Sequence, residues 1–459
     1  MEKNGERRSF GLRQSHGCWH NCSMKSSTQP LTAVPSGVAP ATFSAAFKPL
    51  RLACTWTLSM ALSTALSGAA LAAPAEEEAK PAPPASVQWG GIYKADALHV
   101  SKPSQNTWIG HLNLHADADL DKLWGWSDTN FHIEALFNHG GRPNLRIGSS
   151  QGVSNIEVAE GAARLYATWI ERDFKDSGTR VLFGLYDLNS DFYATEASAQ
   201  LINPSFGIGV EASQSGRNGP SIFPNLGLGL RMRQAVGTNH YVQGVILDGV
   251  PGDPLHPGRT SFKLSSDEGA LAVMEFGYQS REGEGEAQVN GPGKWAVGAW
   301  AYSRATESRI PNDEQLRRNQ GVYGLVQGLL HEGGGSRSLG FARAGLAQRS
   351  MNQVDLAFDL GVLVEHPFSN VPSLAKVAPE SFTAGLAVAR YGRAYRDAQQ
   401  ALGQAQADSE IALELGMRWL FVQELAVQPL VQHIWRPGGR PGEATTLLGL
   451  RLEWTFGPH

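Results

Sequence analysis

Leu448-Gly449-Leu450-Arg451-Leu452-Glu453-Trp454-Thr455-Phe456 is the stretch from which the rest of the chain can be read. Successive side chains of a strand point to opposite faces. Leu450, Leu452, Trp454 and Phe456 therefore share one face, while Arg451, Glu453 and Thr455 share the other. The same unit recurs back to Trp89: about ten alternating residues, then a break rich in Gly, Pro, Asn or Asp. An apolar outside with charges inside is the signature of a transmembrane antiparallel β-barrel, an all-β fold.

The chain has 459 residues, a formal net charge of −4, 42 % hydrophobic residues and a mean hydropathy of −0.25. Such a length would suit two or three soluble domains, but all-β barrels run long as one domain. Fifty-two glycines and only 18 % charged residues suit many turns and close strands. The near-neutral balance gives no electrostatic footprint for nucleic acid. All three cysteines (Cys18, Cys22, Cys54) lie near the N-terminus, so a chain that loses this part needs no disulfide or thiol chemistry.

That loss is expected. Arg51 precedes a weakly apolar run, Leu52 to Leu71, which ends in small residues through Ala75. A basic flank, an apolar stretch and an Ala-x-Ala end read as a secretory signal peptide over 1–75, with Met24 as an alternative start. Cleavage after Ala75 fits best, with Ala72 and Ala73 as alternatives. A retained membrane anchor is the competing reading, because the run is nearly long enough to span. Residues 76–87 form a Pro/Glu-rich linker, and 88–459 form the barrel.

Alternation predicts about sixteen strands. They are 88–99, 107–120, 129–138, 163–173, 179–187, 226–235, 240–249, 270–280, 294–303, 320–331, 338–348, 354–365, 381–390, 410–421, 425–435 and 446–456. Phe206 to Ser213 also alternates weakly. With both termini periplasmic, turns on that side should be short and external loops long. Counting 206–213 as a strand would reverse that order, so it is left in a loop. Connections 281–293 and 366–380 are long for inner turns, and 349–353 is short for an outer loop. The long connection 188–225 carries Pro204, Pro220 and Pro224 and is expected to fold into the lumen, the alternative being a surface loop.

Parity also divides the side chains. Leu112/Leu114, Phe131/Ile133/Phe137, Leu226/Leu228/Leu230/Met232 and Ile411/Leu413/Leu415/Met417 are expected to face lipid. Trp108, Trp124, Trp126, Trp419, Trp435 and Trp454 suit headgroup level, against a reading as core of a soluble sandwich. On the interior parity stand Arg164, Arg231, Arg233, Arg343, Arg418 and Arg451, with Glu134, Glu275, Asp359, Glu414 and Glu453. With Gln428, Gln432 and Tyr323 they offer donors and acceptors with little net sign, which suits neutral hydroxyl-rich solutes. The plainer reading is that any wet barrel needs polar interior residues.

Gly184-Leu185-Tyr186-Asp187-Leu188-Asn189-Ser190-Asp191-Phe192 resembles a signature of the carbohydrate-selective porins, the OprB family. So do Gln151 to Glu157, Asp119 to Trp126, and Gln428-Pro429-x-x-Gln432 with Pro437-Gly438-Gly439. The resemblance runs from about Val87 to Phe456. It implies a sixteen-stranded outer-membrane barrel of a Gram-negative bacterium, passing monosaccharides by facilitated diffusion, with neither cofactor nor metal. It also implies a constriction of arginines, carboxylates and aromatics. Implied partners are permeating sugars, outer-membrane lipid and the barrel-assembly machinery acting on the last strand; the barrel would be a monomer or a homotrimer. The chain departs by continuing as Gly457-Pro458-His459 beyond the terminal aromatic. A general or organic-anion porin, an outer-membrane esterase and an adhesin barrel are the alternatives.

Two motifs invite chemistry. Gly148-Ser149-Ser150-Gln151-Gly152 fits G-x-S-x-G, which needs a strand–turn–helix elbow; here it lies in a loop without a following helical pattern, so no enzyme activity is expected. His111 and His115 share a face with Asn113, Asp117 and Asp119, but residues four apart on a strand lie roughly 13 Å apart. A polar lumen row is expected rather than a metal site. Gly333-Gly334-Gly335 and Gly438-Gly439 read as turn glycines, since no helix follows to cradle phosphate.

Overall fold

A computed structural model of the chain describes residues 86–457, apart from 281–291, 372, 375–376 and 423. The expected signal peptide and most of the linker lie outside the described residues, as do Pro458 and His459.

Sixteen strands close into one antiparallel barrel in which every strand pairs with its sequence neighbours and the last pairs with the first. The first six are β1 (Val87–Val100), β2 (Gln105–Asp119), β3 (Thr129–Gly140), β4 (Ala163–Phe174), β5 (Thr179–Tyr186) and β6 (Gly227–Val236). Then come β7 (His240–Asp248), β8 (Ala270–Gln279), β9 (Pro292–Glu307), β10 (Leu316–Gly333) and β11 (Ser336–Ala347). The last are β12 (Val354–Glu365), β13 (Ser381–Tyr391), β14 (Ser409–Val422), β15 (Leu425–Trp435) and β16 (Ala444–Phe456). Closure runs from Gly91 opposite Phe456 to Val100 opposite Leu447, so among the described residues every strand has a partner strand on both sides.

Each expected strand is present, and 206–213 is not one. It holds a 3₁₀ turn, Pro204–Phe206, and a short helix, Val210–Ser213. The main departure is the β9–β10 hairpin, where half of the expected loop 304–319, namely 304–307 and 316–319, is strand. Arg304 to Glu307 and Arg317 to Asn319 carry no apolar face, so periodicity could not reveal them; the ladder from Glu307 opposite Leu316 to Ala305 opposite Arg318 continues regardless.

Burial in the barrel is inverted relative to a soluble protein. Met274 is 62 % exposed, while its neighbour Glu275 is 2 % exposed. Leu230, Met232, Leu415, Met417, Leu450 and Trp454 are likewise exposed on the outer face. One row needs correction. Leu226 precedes β6 and is buried against Leu136, Tyr166, Ala167 and Leu185, because the chain has already turned inward there.

Candidate functional site

The lumen is occupied by two connections that fold back into it. The larger, residues 187–226, carries Phe192, Tyr193, Leu201, Ile202 and Phe206, each no more than 2 % exposed. Such residues gain stability only where they leave water, and the inner wall supplies that surface. The Tyr193 ring stacks on Tyr323 of β10 with centroids 3.6 Å apart, and Phe206 meets Phe341 of β11 edge-on at 6.4 Å. Two wall glycines make room. A Cβ on Gly385 would lie 2.7 Å from the Phe206 ring, and one on Gly345 would lie 1.7 Å from Glu211 Oε1.

An inserted segment also brings unpaired amides and carbonyls, which must find partners. The wall provides them. Glu414 of β14 accepts from the Ile202 amide at 2.7 Å and the Asn203 amide at 2.8 Å. Arg343 of β11 grips Asp359 of β12 through Nε (3.0 Å) and Nη2 (2.9 Å). Its remaining donors reach the carbonyls of Tyr193 (2.7 Å), Gly207 (2.7 Å) and Ser205 (2.8 Å). Gln327 Oε1 accepts from the Ala197 amide (2.9 Å), while Lys294 Nζ donates to the Ala194 carbonyl (2.7 Å) and Gln428 Nε2 to that of Gln200 (2.8 Å). One segment touching β9, β10, β11, β14 and β15 must run inside the barrel, as expected of 188–225.

The second connection, 141–162, is held in the same way. Glu410 of β14 accepts from Ser149 Oγ (2.6 Å) and the amides of Ser150 (2.9 Å) and Gln151 (3.0 Å). Arg451 of β16 pairs with Asp96 of β1 through Nε (2.7 Å) and Nη2 (2.9 Å), and Nη2 also donates to Asn155 Oδ1 (2.8 Å). Ser154 Oγ donates to Asp96 Oδ2 at 2.7 Å. Gln432 Nε2 donates to the Val153 carbonyl at 2.9 Å and to Glu414 at 3.1 Å. Asn203 Nδ2, donating to the Gly152 carbonyl at 3.0 Å, ties the two insertions together.

The thirteen candidate residues fall into two groups. Arg164, Arg231, Arg343, Arg451, Glu275, Asp359, Glu414, Gln428 and Gln432 are buried. Arg164 serves outer connections, donating to the carbonyls of Pro257 (2.7 Å) and Glu160 (3.1 Å). Arg231 pairs with Glu171 and with Asp191 (2.9 Å). Glu275 accepts from Tyr241 Oη (2.8 Å), Gln243 (2.9 Å) and Tyr323 Oη (2.5 Å). The other four, Glu134, Arg233, Arg418 and Glu453, are half-buried. Arg418 pairs with Glu380 and with Glu453 (3.4 Å), which also meets Lys94 (3.3 Å). Sequence reading missed Asp96 and Glu410, although interior parity on β1 and β14 marks both. It also missed Glu211, which lies in the short helix Val210–Ser213, where strand parity says nothing.

Glu211 is 1 % exposed. Burial raises its carboxyl to about 7, opposed by a backbone hydrogen bond and Arg343 and assisted by Asp359. Tyr193 Oη donates to it at 3.3 Å.

The hydrolase-like stretch is structural in form. Ser150 Oγ is hydrogen-bonded to Tyr391 Oη (2.8 Å) and Gln353 Nε2 (3.2 Å), and a short helix, Asn144–Ile147, precedes the motif instead of following it. His111 is hydrogen-bonded to Asn138 at 2.9 Å, and among the described residues no three His, Cys, Asp or Glu side chains converge as metal ligands.

The fold is similar to that of Pseudomonas putida OprB at high pH, with a TM-score of 0.69 and 18 % identity over 81 % of this chain and 94 % of that one. QuiX of Acinetobacter baylyi, named as a candidate porin, is 23 % identical over 385 residues, which is 76 % of this chain and 83 % of QuiX. Residues 105–456 match the sequence profile described as carbohydrate-selective porin, OprB family, and this chain is a member of that family of channels.

Proposed function

We propose that the barrel sits in the outer membrane of a Gram-negative bacterium and lets monosaccharides such as glucose diffuse passively past the two inserted connections. The reading is carried by one observation: the lumen wall sets charges of opposite sign side by side in several places, as in Arg343–Asp359 and Arg451–Asp96. A wall so neutralised gives a permeating solute dipoles and hydrogen-bond partners with little net field, which suits hydroxyl groups better than ions. The thirteen interior residues then work in two ways. Of the buried nine, all but Glu275, which ties β7 to β10, shape the passage by holding the insertions, and Glu134, Arg233, Arg418 and Glu453 meet the solute. Phe456, at the end of the closing strand, is the contact for barrel assembly, and the oligomer is a monomer or homotrimer.

Reconstitution into planar bilayers tests this. Glucose is expected to reduce the ionic current reversibly, whereas conductance indifferent to every sugar would remove the selectivity. A deletion strain grown on limiting single sugars then identifies the preferred one.

A further inference from the structure

A row of inward side chains crosses five strands in register near the short-turn end: Asp173, Arg180, Arg233, Gln243 and Glu275 on β4 to β8. At its centre two arginines stand directly opposite each other. Like charges in that position are unfavourable. One rung away, Arg231 carries Glu171 and Asp191. Arg233 has neither. Its side chain donates to Gln243 Oε1 at 3.0 Å, and its guanidinium lies 3.9 Å over the Tyr241 ring. That stacking sets its plane, Nη1 is taken by Gln243, and Nε and Nη2 make no hydrogen bond among the described residues. Arg180 is exposed and makes no hydrogen bond or ion pair among the described residues. Asp173, opposite Arg180, forms no ion pair with it among them, and Glu275 is committed to Tyr241, Gln243 and Tyr323.

We propose that Arg180 and Arg233 form an oxyanion station on the lumen wall, which takes the carboxylate or phosphate group of a small hydroxylated solute. Arg180 and Arg233 stand opposite each other on adjacent strands, and charge-assisted hydrogen bonds from guanidinium to an oxyanion are the strong ones. Tyr241 is a positioning residue that orients Arg233, and Gln243 holds the other side of the same fork. The station makes acidic sugars a preferred cargo within the hydroxyl-rich class. It rests on the reading of the chain as a sugar-passing channel.

The test compares current block by gluconate, glucose and inorganic phosphate in bilayers containing the full barrel. Gluconate or phosphate is expected to block the native channel at concentrations about tenfold below glucose. Arg180→Gln and Arg233→Gln should each abolish that advantage, and Arg180→Lys should restore part of it. Heat-modifiable migration on gels checks that the variants fold. If either does not, the native protein still decides, because raising KCl from about 0.1 to 1 M must weaken oxyanion block and spare glucose block. Equal potency of the three solutes in the native channel, or an oxyanion advantage retained in both Gln variants, would overturn the station. Block by gluconate with none by any neutral sugar would keep the station and discard the neutral-sugar reading.

Discussion

Glu414 shows how a single side chain on the wall governs an insertion. Its two oxygens take the amides of Ile202 and Asn203, so Glu414→Gln would turn an amide donor toward them. Leaving such buried donors unmet costs about 1–3 kcal/mol. The variant is expected to fold, to show noisier and larger conductance, and to lose hydrogen-exchange protection at residues 202 and 203. Unchanged protection there would remove Glu414 from this role. Glu211 adds a pH response. Its carboxyl is raised in the folded state, so its contribution to docking is whole below its ordinary value of 4.5 and is lost as pH rises through about 7. Conductance is therefore expected to be steadier at pH 5 than at pH 8, and Glu211→Gln should flatten the difference.

At the scale of elements, the insertion 187–226 fits the barrel because particular strands leave space for it. Gly385 on β13 and Gly345 on β11 sit where any side chain would collide with Phe206 or Glu211. Gly385→Leu is expected to displace the 204–206 turn while leaving the β12–β13–β14 ladder intact, since a leucine suits a strand. Its signature is altered conductance at normal heat-modifiable migration; a barrel that no longer assembles would place the glycine in the ladder itself. Alternation marks strands wherever one face is apolar, and it lapses where both faces are polar, as in Arg304 to Glu307. The insertion's internal turns went unread: Asn203 caps the Pro204–Phe206 turn, its Oδ1 accepting from the Ser205 amide at 3.1 Å, and an Asn before Pro is the local signal that could have marked it. Nothing local reveals that this turn rests on a glutamate 211 residues away.

For the whole molecule, the seam between β1 and β16 is the joint on which closure depends. Arg451 and Asp96 link the two strands from inside and hold Ser154 and Asn155 of an insertion as well. Removing one partner strands a buried charge, which costs about 3–5 kcal/mol. Arg451→Met should therefore lower the temperature at which heat-modifiable migration is lost, and Arg451→Met with Asp96→Leu should recover most of it. A double variant no better than the single one would show that the pair matters for reasons other than its charge.

The chain's own alternation determined the class of fold, the number of strands and the parity of nearly every strand side chain, because a strand's period of two is local and lipid punishes any violation of it. It therefore placed Arg343, Asp359, Glu414 and Arg451 on the inner face without help from the rest of the molecule. What those residues do was decided by tertiary structure. Their partners lie on distant strands or on backbone that folds back through the lumen, and these meetings depend on barrel closure and on the path of the two insertions. Periodicity carries no record of either. Hence the interior residues could be named from sequence, while the division between those buried against an insertion or the wall and those left half-buried emerged only in three dimensions.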